Sequence, residues 1–103
     1  MSLIVQKYGG TSVGTVERIE AVADKVAASQ QSGNQLVIAV SAMSGETNRL
    51  ITLAAAIDEQ PNLREMDVLV STGEQVTIAL LCIALSKRGL EARSYTGGQV
   101  GIL

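Results

Sequence analysis

A lysine followed by a glycine-rich segment is the first feature of this sequence that could carry chemistry. Lys7 stands near the end of the short run Leu3–Tyr8, and the segment Gly9–Gly14 leads into a helical pattern. Glycine lets the backbone approach an anion closely, and the amides of the loop and of the helix start would donate to a phosphate. The lysine would add positive charge beside a transferring phosphoryl group. A plain strand–helix turn remains the competing interpretation, since the spacing matches neither a Walker A loop nor GxGxxG.

A second segment, Ser41–Asn48, combines small, hydroxylic and acidic residues after the apolar run Leu36–Val40. In a parallel sheet this segment would lie at the same edge as the glycine-rich one, because ligands of open α/β sheets bind at the carboxyl ends of the strands. Its hydroxyl groups could bind a ligand. Alternatively, Ser44 or Thr47 could simply cap a helix.

A third segment, Ser71–Gln75, falls inside an otherwise apolar helical pattern, which we expect it to interrupt. Gly73 costs about 1 kcal/mol relative to alanine in a helix interior, so a close contact or a ligand is expected there. Glu74 could hold an ammonium group. A solvated glutamate beside a tightly packed glycine fits the same pattern.

The strands that would position these segments are short and apolar. Leu3–Tyr8 and Leu36–Val40 are predicted as strands, and the second is continuously apolar, which is typical of a parallel strand covered on both faces. A third strand is expected at Glu91–Tyr95. After a turn at Gly97 and Gly98, the segment Gln99–Leu103 could begin a fourth.

Three helices are predicted between these strands. The first spans Thr15–Gln31 with Thr15 as N-cap and Gly33 beyond its end, the second ends before Pro61, and the third runs from about residue 65 to 88. Their apolar faces are expected to contain Ile19, Val22, Ala23, Val26 and Ala27 in the first helix, Leu50, Leu53, Ala54 and Ile57 in the second, and Val76, Leu80 and Ile83 in the third. This order of elements predicts an α/β fold with a mostly parallel sheet.

The composition of the 103 residues excludes several kinds of site. With no His and one Cys, a single chain cannot form a His/Cys zinc site, a Ser-His-Asp triad or an intrachain disulfide. A net charge of −2 and an aromatic content of two tyrosines give no support for nucleic-acid binding. Cys82 lies in an apolar run and is interpreted as a small buried hydrophobe. No targeting segment is recognisable and the longest apolar run, Ile78–Leu85, is shorter than the roughly 20 residues of a bilayer span, so we expect a cytoplasmic protein without a membrane partner.

Taken together, the three segments resemble the aspartokinases of the amino acid kinase family. Lys7–Gly14 matches the N-terminal signature of that group at every position, and Val40–Gly45 and Ser71–Glu74 match its next two signatures in order. Kinases of acetylglutamate or UMP share a similar start but lack the Thr-Ser-Val-Gly extension combined with Ser-Thr-Gly-Glu. The resemblance covers essentially the whole chain.

The resemblance implies a three-layer α/β/α fold, incomplete in this chain, and a phosphotransferase activity. ATP would donate its γ-phosphoryl group to the side-chain carboxylate of L-aspartate, giving 4-phospho-L-aspartate for lysine, threonine and methionine biosynthesis. A carboxylate nucleophile needs no general base, which agrees with the absence of histidine. Mg²⁺ would arrive with ATP, and no metal ligand is expected in the chain.

The same resemblance implies roles for individual residues. Lys7 would be the catalytic residue, neutralising charge on the transferring phosphoryl group. The ATP phosphates would be bound by Lys7, Tyr8, Gly9, Gly10 and Ser12, and the substrate by Ser41, Thr47 and Glu74. Thr47 would hydrogen-bond an aspartate carboxylate, and Glu74 would pair with the α-ammonium group.

Members of this family are several hundred residues long. Residues 1–103 are therefore interpreted as the N-terminal portion of a kinase domain, without the nucleotide-binding remainder and the ACT regulatory domains. The fragment alone is expected to be inactive or nearly so, and either to form a homo-oligomer or to self-associate through uncovered surfaces. Two alternatives stay open: a non-catalytic assembly or binding module with an inherited motif, and a kinase for another small carboxylate.

Overall fold

A computed structural model describes residues 2–95, which contain two strands and three helices. In chain order these are β1 (Leu3–Tyr8), α1 (Val16–Gln31), β2 (Gln35–Val40), α2 (Glu46–Ile57) and α3 (Leu63–Lys87). The two strands are parallel neighbours, in a register that pairs Leu3 with Gln35 and Tyr8 with Val40. Parallel strands need a crossover connection, and α1 provides it. The predicted α/β order is confirmed through α3, as an incomplete α/β fold.

Local sequence signals place both ends of α1 correctly. Thr15 is the N-cap, and its hydroxyl accepts a hydrogen bond from the Arg18 amide at 3.2 Å. Beyond the helix, Gly33 adopts a φ of +92°, a left-handed conformation that glycine reaches without a side-chain clash. The whole predicted apolar face of α1 is buried, which confirms Ile19, Val22, Ala23, Val26 and Ala27.

The core lies between α1, α3 and one face of the sheet, but α3 contributes a different stripe from the predicted one. Of the predicted residues, Leu80 is partly buried against the core, whereas Val76 and Ile83 are 49% and 65% exposed, so these two assignments are wrong. The residues buried instead are Gly73, Thr77, Leu81, Ala84 and Leu85. Both stripes have helical spacing, so periodicity alone could not choose between them.

The second helix differs from the prediction in its start and its buried face. α2 begins at Glu46, inside the predicted loop, and ends at Ile57, before Pro61 as predicted. Only Leu50 is buried, while Leu53 and Ile57 are 51% and 90% exposed. The reason is that, among the strands and helices of residues 2–95, α2 contacts only α3.

Ion pairs join the C-terminal end of α3 to α1. Arg88 lies 2.9 Å from both Glu20 and Asp24, and Lys87 lies 3.0 Å from Glu20. The hydrogen bond from Arg88, followed by that from Lys87, holds the pKa of the Glu20 carboxyl below its ordinary value of 4.5. The partners lie up to 68 positions apart in the chain. For this reason the sequence indicated two cations at the end of a helix but not their acidic partners.

The third helix combines an apolar composition with packing along part of its surface. Asn62 is its N-cap and accepts a hydrogen bond from the Glu65 amide at 3.2 Å. By length and composition alone α3 is long and apolar enough to cross a membrane. In the structure it packs against α1, α2 and β2.

Within residues 2–95, helices cover only one face of the sheet. Val5 and Val37 are 71% and 53% exposed on the other face, so the cover expected on both faces is not present in this part of the chain. The strand expected at Glu91–Tyr95 is also wrong, because these residues have no regular secondary structure. The Leu90 amide donates to the Leu85 carbonyl at 3.1 Å, which keeps the start of this segment on α3. The elements expected from Gly97 onward lie outside the described residues.

Candidate functional site

Two loops leave the carboxyl ends of the parallel strands and are bonded to each other. We call residues Gly9–Thr15 loop 1 and residues Ser41–Gly45 loop 2. The Ser41 amide donates to the Tyr8 carbonyl at 3.1 Å, and the Ser44 amide donates to the Gly10 carbonyl at 3.2 Å. The predicted meeting of the two segments at one sheet edge is therefore present in the structure.

Loop 1 is folded into two short turns that leave amide groups free. The Ser12 amide donates to the Gly9 carbonyl at 3.1 Å, and the Gly14 amide donates to the Thr11 carbonyl at 3.4 Å. Val13, fully buried, anchors the loop in the core. Within residues 2–95 no protein acceptor receives the amides of Gly9, Gly10 or Thr11. Because these three amides make no hydrogen bond within the fold, they could donate to a bound anion.

Lys7 and Tyr8 lie on opposite faces of the sheet, because successive strand residues alternate. Lys7 is exposed on the uncovered face and makes no ion pair within the described part of the chain. Tyr8 is half-buried against the core, and its hydroxyl donates to the Gln6 side chain at 3.2 Å. The lysine is thus available to a ligand at this edge, whereas the tyrosine ring belongs to the packing.

Loop 2 is packed between two glycines. Ala42 is only 7% exposed. A Cβ added at Gly10 would lie 3.0 Å from the Ala42 carbonyl oxygen, and a Cβ added at Gly73 would lie 3.0 Å from the Ala42 methyl group. Loop 1, loop 2 and α3 therefore all meet at Ala42. Sequence reasoning missed this residue, since a single alanine between polar neighbours carries no pattern.

The polar segment Ser71–Gln75 does not interrupt α3, contrary to the prediction. The hydroxyl groups of Ser71 and Thr72 donate to backbone carbonyls three residues earlier at 2.7 and 2.6 Å, and that of Thr77 donates to the Gly73 carbonyl at 3.2 Å. The helix itself thus supplies acceptors for these hydroxyl groups, and α3 continues through the segment. Close packing against Ala42 explains the glycine at position 73, which is one of the two interpretations given above.

Glu74 faces a groove between α3 and the edge of β2 that no strand of residues 2–95 covers. It is exposed, and Val40 at the end of β2 and Ser71 line the groove beside it. Within residues 2–95 Glu74 makes no ion pair, so its carboxylate is free to bind a cation. Cys82 also lines the groove, and burial raises the pKa of its thiol, which agrees with an unreactive packing residue.

The start of α2 leaves the hydroxyl groups of loop 2 without a capping role. Gly45 is the N-cap, at a φ of +81°, and no side chain makes a cap hydrogen bond. The capping interpretation of Ser44 and Thr47 is therefore wrong. Thr47 lies half-buried in the first turn of α2, and Ser41 lies half-buried at the end of β2. Both remain candidates for ligand binding at the sheet edge near Lys7.

One ion pair near these loops was not anticipated. In the first turn of α2 the Arg49 guanidinium donates to the Glu46 carboxylate at 3.1 Å. This hydrogen bond lowers the pKa of Glu46 and raises that of Arg49. The positive charge of Arg49 and the negative charge of Glu46 cancel, so the pair adds no net charge to the site.

Comparison with known proteins finds relatives along the whole chain. The sequence matches the amino acid kinase family over residues 2–102. It is 70% identical to aspartate kinase Ask_LysC of Stutzerimonas stutzeri over 100% of the chain and 57% identical to aspartokinase 2 of Bacillus subtilis over 99% of it. A crystal structure of aspartate kinase from Synechocystis has a TM-score of 0.88 at 57% identity and covers 90% of this chain and 16% of that one. The chain spans 25% of the length of these two curated relatives.

Proposed function

Because the chain belongs to the amino acid kinase family, we propose that the whole protein transfers the γ-phosphoryl group of ATP to the side-chain carboxylate of L-aspartate. The names of relatives that are 46% to 70% identical support aspartate as the acceptor. The observation that carries the proposal is the 3.2 Å hydrogen bond from the Ser44 amide to the Gly10 carbonyl. It holds a loop with free amides beside a loop with free hydroxyl groups at one sheet edge.

The phosphate side of the site is loop 1 together with Lys7. Phosphoryl transfer asks mainly for positioning and for charge stabilisation. The unpaired amides of Gly9 and Gly10 and the exposed ammonium of Lys7 are all positively polarised donors, which fits the phosphates of ATP. Ser12 adds a half-buried hydroxyl to the same loop. Tyr8 would act through its place at the end of β1, since its ring packs against the core.

The acceptor side of the site consists of Ser41, Thr47 and Glu74. Glu74 would accept hydrogen bonds from the α-ammonium of aspartate, and Thr47 would donate to a carboxylate. Ser41 would line the site between these groups and loop 1. The acceptor carboxylate is ionised at neutral pH, so these residues need only orient it and no general base is required.

ATP would bring a divalent ion, for which Mg²⁺ is the natural choice. The described residues contain no cluster of three or more His, Cys, Asp or Glu side chains that could hold a metal. When bound, the ion would neutralise charge on the phosphates. Adenine and ribose would be bound by parts of the whole protein outside this chain. We place the reaction in the cytoplasm, as a step toward lysine, threonine and methionine.

The proposal is tested in a chimaera in which these 103 residues replace the matching quarter of the Stutzerimonas stutzeri enzyme. Release of ADP is measured with L-aspartate, with L-glutamate, with N-acetylglutamate and without acceptor. We expect release that depends on aspartate. Lys7→Ala should lower kcat by at least about 100-fold, the order of effect seen when a group that stabilises transition-state charge is removed. Lys25→Ala, at an exposed position of α1, serves as the matched control and should leave kcat unchanged.

Each other result would contradict part of the proposal. Faster release of ADP with another carboxylate than with L-aspartate would show that aspartate is not the preferred acceptor. A folded chimaera without ADP release under any condition would favour the non-catalytic assembly module. Full activity of Lys7→Ala would remove Lys7 from the reaction.

A further inference from the structure

We infer that Gly73 is a positioning residue whose missing side chain sets the spacing between α3 and loop 2, and thereby the place of Glu74. The inference rests on the proposed function, because it assigns Glu74 to the amino-acid substrate. Gly73 itself would touch neither substrate nor nucleotide. It would act through its neighbour in the helix.

The surroundings of Gly73 leave no room for a larger residue. A Cβ at this position would lie 3.0 Å from the Ala42 Cβ, 3.5 Å from the Glu46 Cγ and 3.6 Å from a Leu50 methyl group. The first distance is shorter than ordinary carbon–carbon contact, which begins at about 3.5 Å. Gly73 is thus the point at which α3 packs directly on both loop 2 and α2.

The helix backbone gives no reason for glycine here. Positive φ values occur at Gly33, Gly45 and Gly89, and Gly73 is not among them. Alanine would fit the helical backbone and would favour the helix more than glycine does. What glycine uniquely provides at this position is space.

Ala42 has little freedom to retreat from an enlarged residue 73. On its other side it faces Gly10, where an added Cβ would lie 3.0 Å from the Ala42 carbonyl oxygen. Loop 2 is also tied to Gly10 by the hydrogen bond from the Ser44 amide. An added methyl group at residue 73 would therefore move α3 outward. Because Glu74 follows directly, its carboxylate would move away from loop 2 with the helix.

The test uses the chimaera described above and measures KM for aspartate, KM for ATP and kcat. We expect Gly73→Ala to raise KM for aspartate about tenfold while kcat changes less than about threefold, since a displaced charge-assisted contact weakens binding. KM for ATP should stay within about threefold, because loop 1 keeps its bonds to loop 2. The paired variant A42G/G73A moves the methyl group to the other side of the contact and should return KM for aspartate to within about threefold of the unsubstituted chimaera.

A second comparison asks whether Gly73 acts through Glu74. Glu74→Gln alone should raise KM for aspartate, and adding Gly73→Ala should raise it by less than about twofold more, because two changes to one contact are not additive. Ser86→Ala, which also adds helix propensity at an exposed position of α3, serves as the control and should change neither KM.

Three results would overturn the inference. Gly73→Ala could leave KM for aspartate unchanged, A42G/G73A could bind aspartate as weakly as Gly73→Ala, or the effects of Gly73→Ala and Glu74→Gln could be fully additive. If Gly73→Ala does not fold, KM for aspartate of A42G/G73A decides alone. A value near that of the unsubstituted chimaera would support the inference, and a raised value would contradict it. An unsubstituted chimaera that does not phosphorylate aspartate instead refutes the proposed function, and this inference then loses its basis.

Discussion

The methyl group of Ala42 lies 3.0 Å from the point at which a side chain on Gly73 would begin. This contact joins loop 2 to the helix that carries Glu74, and the opposite side of Ala42 faces Gly10 in loop 1. Three segments that are far apart in the chain thus converge on one small residue. The relative placement of the proposed phosphate side and the proposed acceptor side of the site depends on how closely these segments pack.

The two adjacent glycines of loop 1 should respond differently to alanine. A Cβ at Gly10 would lie 3.0 Å from the Ala42 carbonyl oxygen, whereas a Cβ at Gly9 would meet nothing within 4 Å. We expect Gly10→Ala to destabilise the fold by about 1–3 kcal/mol through overpacking, and Gly9→Ala by less than about 0.5 kcal/mol. Thermal and urea unfolding of the chimaera measure both. Gly9→Ala should nevertheless raise KM for ATP, because its methyl group enters the space beside the free amides.

This pair serves as its own control, since both positions lie in the same loop and neither has a positive φ. Equal losses of stability in the two variants would show that backbone freedom, and not the contact with Ala42, explains the glycine at position 10.

Stability should depend on pH through the ion pairs between α1 and α3. The pKa of Glu20 is lowered in the folded protein by Arg88 and Lys87, so its carboxylate is favoured by folding. This stabilisation is fully present above the ordinary value of 4.5 and is lost as pH falls through the lower folded pKa. Glu20→Gln should therefore reduce Tm at pH 7 and make the decrease of Tm between pH 5 and 3 shallower.

Thermal unfolding of the chimaera across that pH range checks this expectation. Glu17→Gln is a suitable control, because Glu17 is exposed on the same helix and makes no ion pair within residues 2–95. Parallel Tm curves for Glu20→Gln and the unsubstituted protein would contradict a stabilising role for these pairs.

The uncovered sheet face predicts self-association of the isolated 103-residue chain. Leu3, Val5 and Val37 are 66%, 71% and 53% exposed there, and contiguous apolar surface of this kind favours association. Light scattering should report a mass above that of the 10.7 kDa monomer. The double variant V5K/V37K should shift the mass toward the monomer, because it places two charges on this face.

Ile57→Lys is the matched control, since Ile57 is 90% exposed on α2 and lies away from the sheet. A monomeric mass for the unsubstituted chain at millimolar concentration would contradict the prediction. An equal effect of Ile57→Lys would assign the association to α2 instead.

Features that depend on neighbouring residues in the chain were predictable. The face of α1 is set by residues three and four apart, and its ends are set by Thr15 and Gly33, so no distant contact was needed to predict them. The meeting of loop 1 and loop 2 was also predictable, because parallel strands place their carboxyl ends at one edge. The motifs themselves indicated which residues these loops would present.

Tertiary packing decided the remaining features. α3 carries two stripes of helical spacing, and only its contacts with α1, α2 and β2 select the one that contains Leu81 and Leu85 for the core. α3 is also continuous through Ser71–Gln75, and its packing against loop 2 makes Ala42 the neighbour of Gly73. The bond from Arg88 to Glu20 spans 68 positions, so no local pattern could contain it. By itself the sequence determined the short-range elements and the chemistry at their ends, while the closeness of those ends arises from contacts between residues that are distant in the chain.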